Sequence, residues 1–361
     1  MPVKISANRG DVAEGIMGAA LTAKFVKRKD NQTVEKLPAI TARDINIVLN
    51  KVFSKGGYTR KVADINQTQT LTVFDDVTFK LTLPKPAMDF LSVSSERSKV
   101  SDIYRRAILY ANTDTTFARS ADQLAKNQIS DEILVDADGV SNQLETKVDI
   151  GLYANNQRIA NQISLKVAGG NQFAQVVGFG LEKFDKLFED LLKLDIDSQV
   201  KEQTEAFIEE FNVTDAFSFK TDTRKDVTGS SWASLLKKAS AVYYKGAAAQ
   251  MKSNINDKDF RLSLANAIRY GATRGDDDVQ LVKLSGAGYV ERTFDSTFDQ
   301  AMIAANLSIV TSWKNNPTIT IKSGRSTLLK IRARIDASKS KSGYSLMLRQ
   351  LFEAGTGLFA L

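Results

Sequence analysis

Histidine and cysteine are both absent from this 361-residue chain. Without cysteine there are no disulfides, zinc–thiolate sites, iron–sulfur clusters or thiol nucleophiles. Without histidine there is no Ser-His-Asp hydrolysis and no imidazole metal site. Any catalysis must run on carboxylates, Lys, Arg, Ser, Thr or Tyr. Oxygen-rich sites of that kind suit Mg²⁺ or Mn²⁺. Proline is scarce, with only 5 residues, so long Pro-rich linkers are excluded. No run of about 18 apolar residues occurs, which argues against a membrane span. The opening MPVKISANRGD lacks the apolar stretch of a signal peptide. The expectation is a soluble cytoplasmic protein with no membrane partner. No GxxxxGK[ST] motif and no strand–GxGxxG–helix occurs, so a nucleoside triphosphate is not an expected partner. Ser285-Gly286-Ala287-Gly288 is a short turn only.

What is present is an ordinary globular balance, 43% apolar and 25% charged. The formal charge is +7 and the pI near 9.2, an excess that favours polyanionic partners. Apolar spacing predicts a helix over 9–28, with Asp11 as its N-cap, and a second over 41–54 capped by Thr41. Strands follow over 69–83, then helices at about 99–111 and 117–127. A three-stranded antiparallel meander is expected from Ile133–Val135, Lys147–Tyr153 and Arg158–Val167. Helical spacing marks 172–194, 198–211, 231–252 and 257–270. Strands return at 279–284, 289–294, 306–313, 317–322 and 328–335, and a final helix is read over Tyr344 to Glu353. The expected class is α/β (α+β): a mixed sheet core holding the meander and flanked by helices, with a helical middle and a strand-rich C-terminal part. The expected divisions are 1–195, 196–275 and 276–361, the last of these a basic part able to complete the first core.

Alternation along KVDIGLY and ANQISLKV carries the chemistry. Side chains alternate faces in a strand. If Ile150 and Leu152 point into the core together with Ile163, Leu165 and Val167, then Asp149 shares the opposite face with Gln162, Ser164 and Lys166. Phosphodiester hydrolysis needs such a patch. A carboxylate holds the cation, which polarises phosphate and activates water. A lysine stabilises developing negative charge.

This arrangement resembles the PD-(D/E)xK nuclease superfamily. Its members have an N-terminal helix, a hairpin carrying an acid, a strand bearing acid-x-Lys, and a following helix. Asp149 matches the first acid and Lys166 the lysine. Glu14, in GDVAEGIMGAALTAKF, resembles the glutamate that many members carry on the first helix. QISLKVAGGNQFAQVVG resembles the third strand passing into its helix. The likeness covers mainly 9–28 and 131–195. The second acid is replaced by Ser164, and Val148 stands where the motif has proline. Gln162 lies one step further back on the same face. Ser164 and Gln162 offer neutral oxygens, so Glu14 and Asp149 are the only anionic ligands the resemblance supplies. It implies a Mg²⁺- or Mn²⁺-dependent DNA endonuclease, with Glu14 and Asp149 on the metal, Lys166 assisting the attacking water, and Ser164 or Gln162 completing the shell. Double-strand cutting would call for two sites and hence a homodimer. The alternative is a non-catalytic DNA-binding or phage virion or assembly protein, which the neutral Ser164 favours. A third reading is an interaction protein with an acidic partner.

The C-terminal part adds a cationic ribbon. Lys330, Arg332 and Arg334 alternate with apolar residues, and Lys341 and Arg349 extend the series. Such a ribbon could track a phosphate backbone. Asp276-Asp277-Asp278 with Lys283 is a further candidate cluster, although adjacent acids at a strand entry are usually a solvated turn.

Overall fold

The computed structural model describes residues 7–30, 38–55, 66–74, 77–113, 132–138, 147–159, 161–167, 172–211, 220–314, 316–340 and 343–361. The fold is mixed α/β. The chain forms two compact units, Met1–Gly170 with Thr273–Thr293, and Asn171–Ala272 with Phe294–Leu361. The expected divisions at 195 and 275 do not coincide with these. The chain leaves the first unit after Gly170 and returns for one β-hairpin.

Helix α1 (Arg9–Asp30) is the axis of the first unit. Nearly every side chain from Val12 to Phe25 is buried. A helix apolar all round must be covered on all sides. Helices α2 (Ala42–Lys55), α3 (Lys85–Leu91) and α5 (Ser101–Thr113) pack on it, as do strands β2 (Val77–Pro84), β3 (Ile133–Ala137) and β6 (Gln162–Val167). A short α4 (Ser94–Arg97) leads through a 3₁₀ turn into α5. Asn8, not Asp11, caps α1: its side-chain oxygen accepts from the Gly10 amide at 3.1 Å. Thr41 and Asp44 close the start of α2, with both the amide and the hydroxyl of Thr41 donating to the Asp44 carboxylate.

One sheet runs β1 (Asn66–Phe74), β2, β3, β4 (Gly151–Ala154), β5 (Gln157–Arg158). All its pairings are antiparallel except β2 with β3. A second sheet runs β10 (Gly288–Arg292), β9 (Val279–Ser285), β6. The meander is therefore broken at its third member. The segment expected as one strand over 158–167 splits into β5 and β6, and β6 pairs in parallel with β9. One antiparallel bridge, Ile150 to Ile163, joins β6 to the β4 side. The helix expected over 117–127 lies outside the described residues.

The second unit opens with β7 (Gln172–Val177), α6 (Leu181–Asp185) and a π-helical turn at Lys186–Leu191. The expectation of one helix over 172–194 is thus wrong at its start: Gln172 and Ala174–Val177 pair with the strand at Gly343–Ala354 instead. Helices α7 (Ser198–Glu210), α9 (Ser231–Asn254) and α10 (Lys258–Thr273) match the expected periodicity, and a short α8 (Arg224–Thr228) precedes α9. After α11 (Ser296–Ala304) come β11 (Leu307–Ser312), β12 (Thr318–Ser323), β13 (Ser326–Ser340) and β14 (Gly343–Ala354). They form an antiparallel sheet ordered β11-β12-β13-β14-β7, with β8 (Lys220–Thr221) also on β14. The final helix expected over 344–353 is a strand. Leu346, Leu348, Gln350, Phe352 and Ala354 are buried at every second position. Leu, Met, Arg, Gln and Glu are good helix formers, but a twelve-residue partner in β13 overrides that preference. Tyr243, Phe184 and Phe188 cluster at the centre of this unit, with Tyr243 stacked on Phe184 at 5.1 Å between centroids.

Candidate active site

The bridge between Ile150 and Ile163 is where two strands meet and then part. The amides of Asp149 and Ile150 both donate to the Ile163 carbonyl, at 2.8 and 3.0 Å. Beyond this point no β4 residue continues the ladder along β6. The Asp149 carboxylate takes the place of a strand acceptor: its Oδ2 accepts from the Leu165 amide at 2.5 Å. The same oxygen lies 3.1 Å from Lys166 Nζ. Lys166 also donates to Ser164 Oγ at 3.2 Å and to the Leu165 carbonyl at 2.9 Å. The acid, the lysine and the serine named from sequence alternation thus converge on one spot. Asp149 Oδ1 makes no hydrogen bond among the described residues.

Glu14 comes from α1. The helix approaches the sheet closely because it carries Gly15 and Gly18. A Cβ at Gly18 would lie 2.8 Å from Phe79 Cε2 and 3.0 Å from Ala137 Cβ. Glu14 is only 9% exposed, and its Oε2 has no hydrogen-bond partner among the described residues. A buried carboxylate oxygen without a donor is costly. Burial holds the Glu14 proton on well above the usual carboxylate range. The Asp149 charge pushes the same way, as do Asp11 and Asp138, while Lys166 opposes. Asp11 lies three residues before Glu14, so the two share a helix face. Its pKa is raised by its own burial and by Asp149. Lys147 is driven down to about 8 by burial, and then by Arg274 and Lys166. Four acids and three cations therefore sense one another around Asp149.

Gln162 is not part of this spot. It is fully buried, and its amide bridges to β4: Oε1 accepts from the Leu152 amide at 3.1 Å, and Nε2 faces the Leu152 carbonyl at 3.4 Å. Gly151 makes room for it, since a Cβ there would sit 2.9 Å from Gln162 Oε1. Gln162 splices two sheets, and the expectation that it completes a metal shell is corrected on that ground.

Compared with known proteins, no family model, no curated protein and no solved structure matches the chain. The chemistry of the site rests on its own residues. Glu14 Oε2, Asp149 Oδ1 and Ser164 Oγ are hard oxygen donors with spare lone pairs, a set suited to Mg²⁺ or Mn²⁺. No group of three or more acids close enough to share an ion occurs among the described residues.

The other sequence candidates lie elsewhere. Asp276 is held by Arg158 at 2.6 Å and Asp278 by the same arginine at 3.5 Å. The Asp278 carbonyl accepts from the Gln162 amide at 2.7 Å. The triplet is a braced turn, and Lys283 is buried on β9. On β13, Arg332 is paired with Glu353, and Arg334 lies 2.6 Å from Asp336, which Arg224 also holds. Lys330 is exposed, opposite Glu353 in register. Arg349 stands directly across from Arg334, and its Nε approaches Met347 Sδ at 3.0 Å. Lys341 lies outside the described residues. Two of the three strand cations are thus already matched to acids.

Sequence reasoning missed Asp11, Asp138 and Lys147 as neighbours of the site. The signal for two of them was present. Asp11 precedes Glu14 by three residues on a helix, and Lys147 precedes Asp149 by two.

Proposed function

We propose that this protein is a divalent-metal-dependent DNA endonuclease that cleaves phosphodiester bonds. The observation that carries the reading is the meeting of Asp149 and Lys166 at 3.1 Å beside Glu14, whose buried Oε2 has no donor. Glu14 and Asp149 would hold Mg²⁺ or Mn²⁺, with Ser164 adding a neutral oxygen. When bound, the ion would polarise the phosphate and lower the pKa of water. The Lys166 ammonium, fixed by Asp149, Ser164 and the Leu165 carbonyl, would stabilise charge developing on the phosphate oxygens. Lys147 would add positive potential beside it. Glu14 must shed its proton to act as a ligand, and a nearby cation supplies the driving force.

The resemblance to PD-(D/E)xK nucleases supports this reading through the helix acid, the hairpin acid and the strand lysine. Two departures count against a simple transfer. Ser164 replaces an acid, and the residues after β6 lead into β7, not a helix. These favour the second reading, a non-catalytic DNA-binding or phage virion or assembly protein that keeps the frame without the chemistry. In both readings the exposed Lys330, with Arg349, contacts DNA phosphates, and double-strand cutting would involve a homodimer.

The deciding experiment is cleavage of supercoiled plasmid with Mg²⁺ or Mn²⁺ by wild type, Asp149→Asn, Lys166→Gln and Glu14→Gln, each checked by circular dichroism. Losing a metal ligand or charge-stabilising group costs on the order of 100-fold or more in rate. Equal cutting by all four proteins would reject the site. Salt-sensitive DNA retention without cutting would select the second reading.

A further inference from the structure

We propose that a cleft walled by α2, α4 and α5 of the first unit binds a dianionic phosphate group. The cavity is about 540 Å³ and is lined by Asn46, Asn50, Arg97, Ser101, Tyr104 and Arg105, with Ala42 and Ile108 forming an apolar wall. Arg97 is its floor and only 3% exposed. A guanidinium buried this deeply is ordinarily matched to a carboxylate, because desolvating an unpaired charge is expensive. Arg97 has none. Its partners are neutral oxygens: Asn46 Oδ1 at 2.8 Å, Asn50 Oδ1 at 2.5 Å and Ser94 Oγ at 2.9 Å. Its Nε finds no acceptor among the described residues. Tyr104 also donates to Asn46 Oδ1, at 2.9 Å, so that acceptor is saturated.

The neighbouring acids do not pair with Arg97. Glu96 pairs through Oε1 with Lys99 at 2.6 Å, its buried Oε2 finding no donor among the described residues, and Asp102 pairs with Arg9 and Arg106 at 2.6 and 3.0 Å. Among the described residues Arg105 makes no ion pair and no Asp or Glu lines the cleft. Among these residues the cavity therefore presents two guanidinium charges and the hydroxyl of Ser101 with no counterion of their own. A phosphate carries about −1.5 to −2 at pH 7 and three acceptor oxygens, which matches two arginines better than the single charge of a carboxylate. Arginine is also the side chain whose fork fits phosphate oxygens. The apolar wall fits a phosphate carried on a small organic body. This inference does not depend on the nuclease reading, since none of its residues belongs to the Asp149 cluster.

The test is calorimetric titration and thermal shift at constant ionic strength with phenyl phosphate, inorganic phosphate and benzoate. Asn50→Asp is the informative variant. It is isosteric and places a carboxylate against Arg97, so the fold keeps or gains stability while the site loses its charge. Arg105→Gln removes the rim cation without touching the buried one. The expected result is binding of phenyl phosphate by wild type, weakened at least tenfold in Asn50→Asp at unchanged or higher Tm, and weakened to a lesser extent in Arg105→Gln. Inorganic phosphate binding as tightly as phenyl phosphate would identify free phosphate as the ligand; weaker binding would identify a monoester. Benzoate binding as well as both, undiminished binding in Asn50→Asp, or no heat and no shift at millimolar concentrations would overturn the proposal.

Discussion

Adding Mg²⁺ or Mn²⁺ should stabilise the wild-type protein and leave Glu14→Gln almost untouched. In the metal-free protein Glu14 is buried beside Asp149 and retains its proton well above its ordinary value of 4.5. A group whose folded pKa is raised stabilises the fold below its unfolded pKa and loses that contribution as pH rises through the folded one. Metal-free stability should therefore decline as pH climbs above about 4.5 and through the raised Glu14 pKa. Glutamine cannot ionise, so Glu14→Gln should flatten this decline and be the more stable protein at pH 8 without metal. Metal should reverse the order. At 100 times Kd, a ligand specific for the folded state adds about 2.7 kcal/mol. For a unit of 150–250 residues that is a Tm increase of about 5–10 °C. Wild type should show this increase at pH 8 with a chelator-reversible release of protons, while Glu14→Gln and Asp149→Asn should shift by less than about 1 °C. The assay is scanning fluorimetry across pH 5–9 with and without the ion. Equal shifts in wild type and Glu14→Gln would refute the assignment of the buried carboxylate as a ligand. A pH profile unchanged by Glu14→Gln would refute the electrostatic reasoning beneath it.

Other outcomes follow from packing and hydrogen bonding. Gly18→Ala would place a methyl 2.8 Å from the buried Phe79 ring, and overpacking of this kind costs about 1–3 kcal/mol, partly offset by the helix preference of alanine. Chemical denaturation should show the loss, and cleavage should fall with it because α1 carries Glu14. Tyr243→Phe removes a hydroxyl that donates to Asp185 Oδ1 at 2.5 Å. A hydrogen bond to a charged group contributes about 1.5–3 kcal/mol, so the denaturation midpoint should drop while DNA cleavage at 25 °C stays unchanged. Gln350 is fully buried and its Nε2 donates to the Lys183 carbonyl at 2.9 Å. Gln350→Leu should cost about 1–3 kcal/mol by stranding that carbonyl, measurable by urea titration; a neutral effect would mean that water replaces the amide.

Local pattern determined a good share of this protein. Alternation put Ser164 and Lys166 on one face of β6, because a side chain's side of a strand depends only on parity; Asp149 precedes β4 and reaches them beside the single Ile150–Ile163 bridge. Three-and-four spacing located α2, α5, α7, α9 and α10, because an amphipathic stripe is written in neighbouring residues. What tertiary structure decided was everything that depends on a distant partner. β14 reads as helix until β13 offers twelve residues to pair with. Gln172–Val177 likewise becomes a strand only because β14 has a free edge. Gln162 shares a face with Ser164 but turns to the Leu152 backbone, and Asp11, Asp138 and Lys147 join the acid cluster only when α1 settles on the sheet. Arg97 shows the limit most plainly: as one residue among many serines it carries no signal, and its lack of a carboxylate exists only once three helices have closed around it. Parity and helical period are properties of a segment, whereas partners, burial and charge balance are properties of the packed chain.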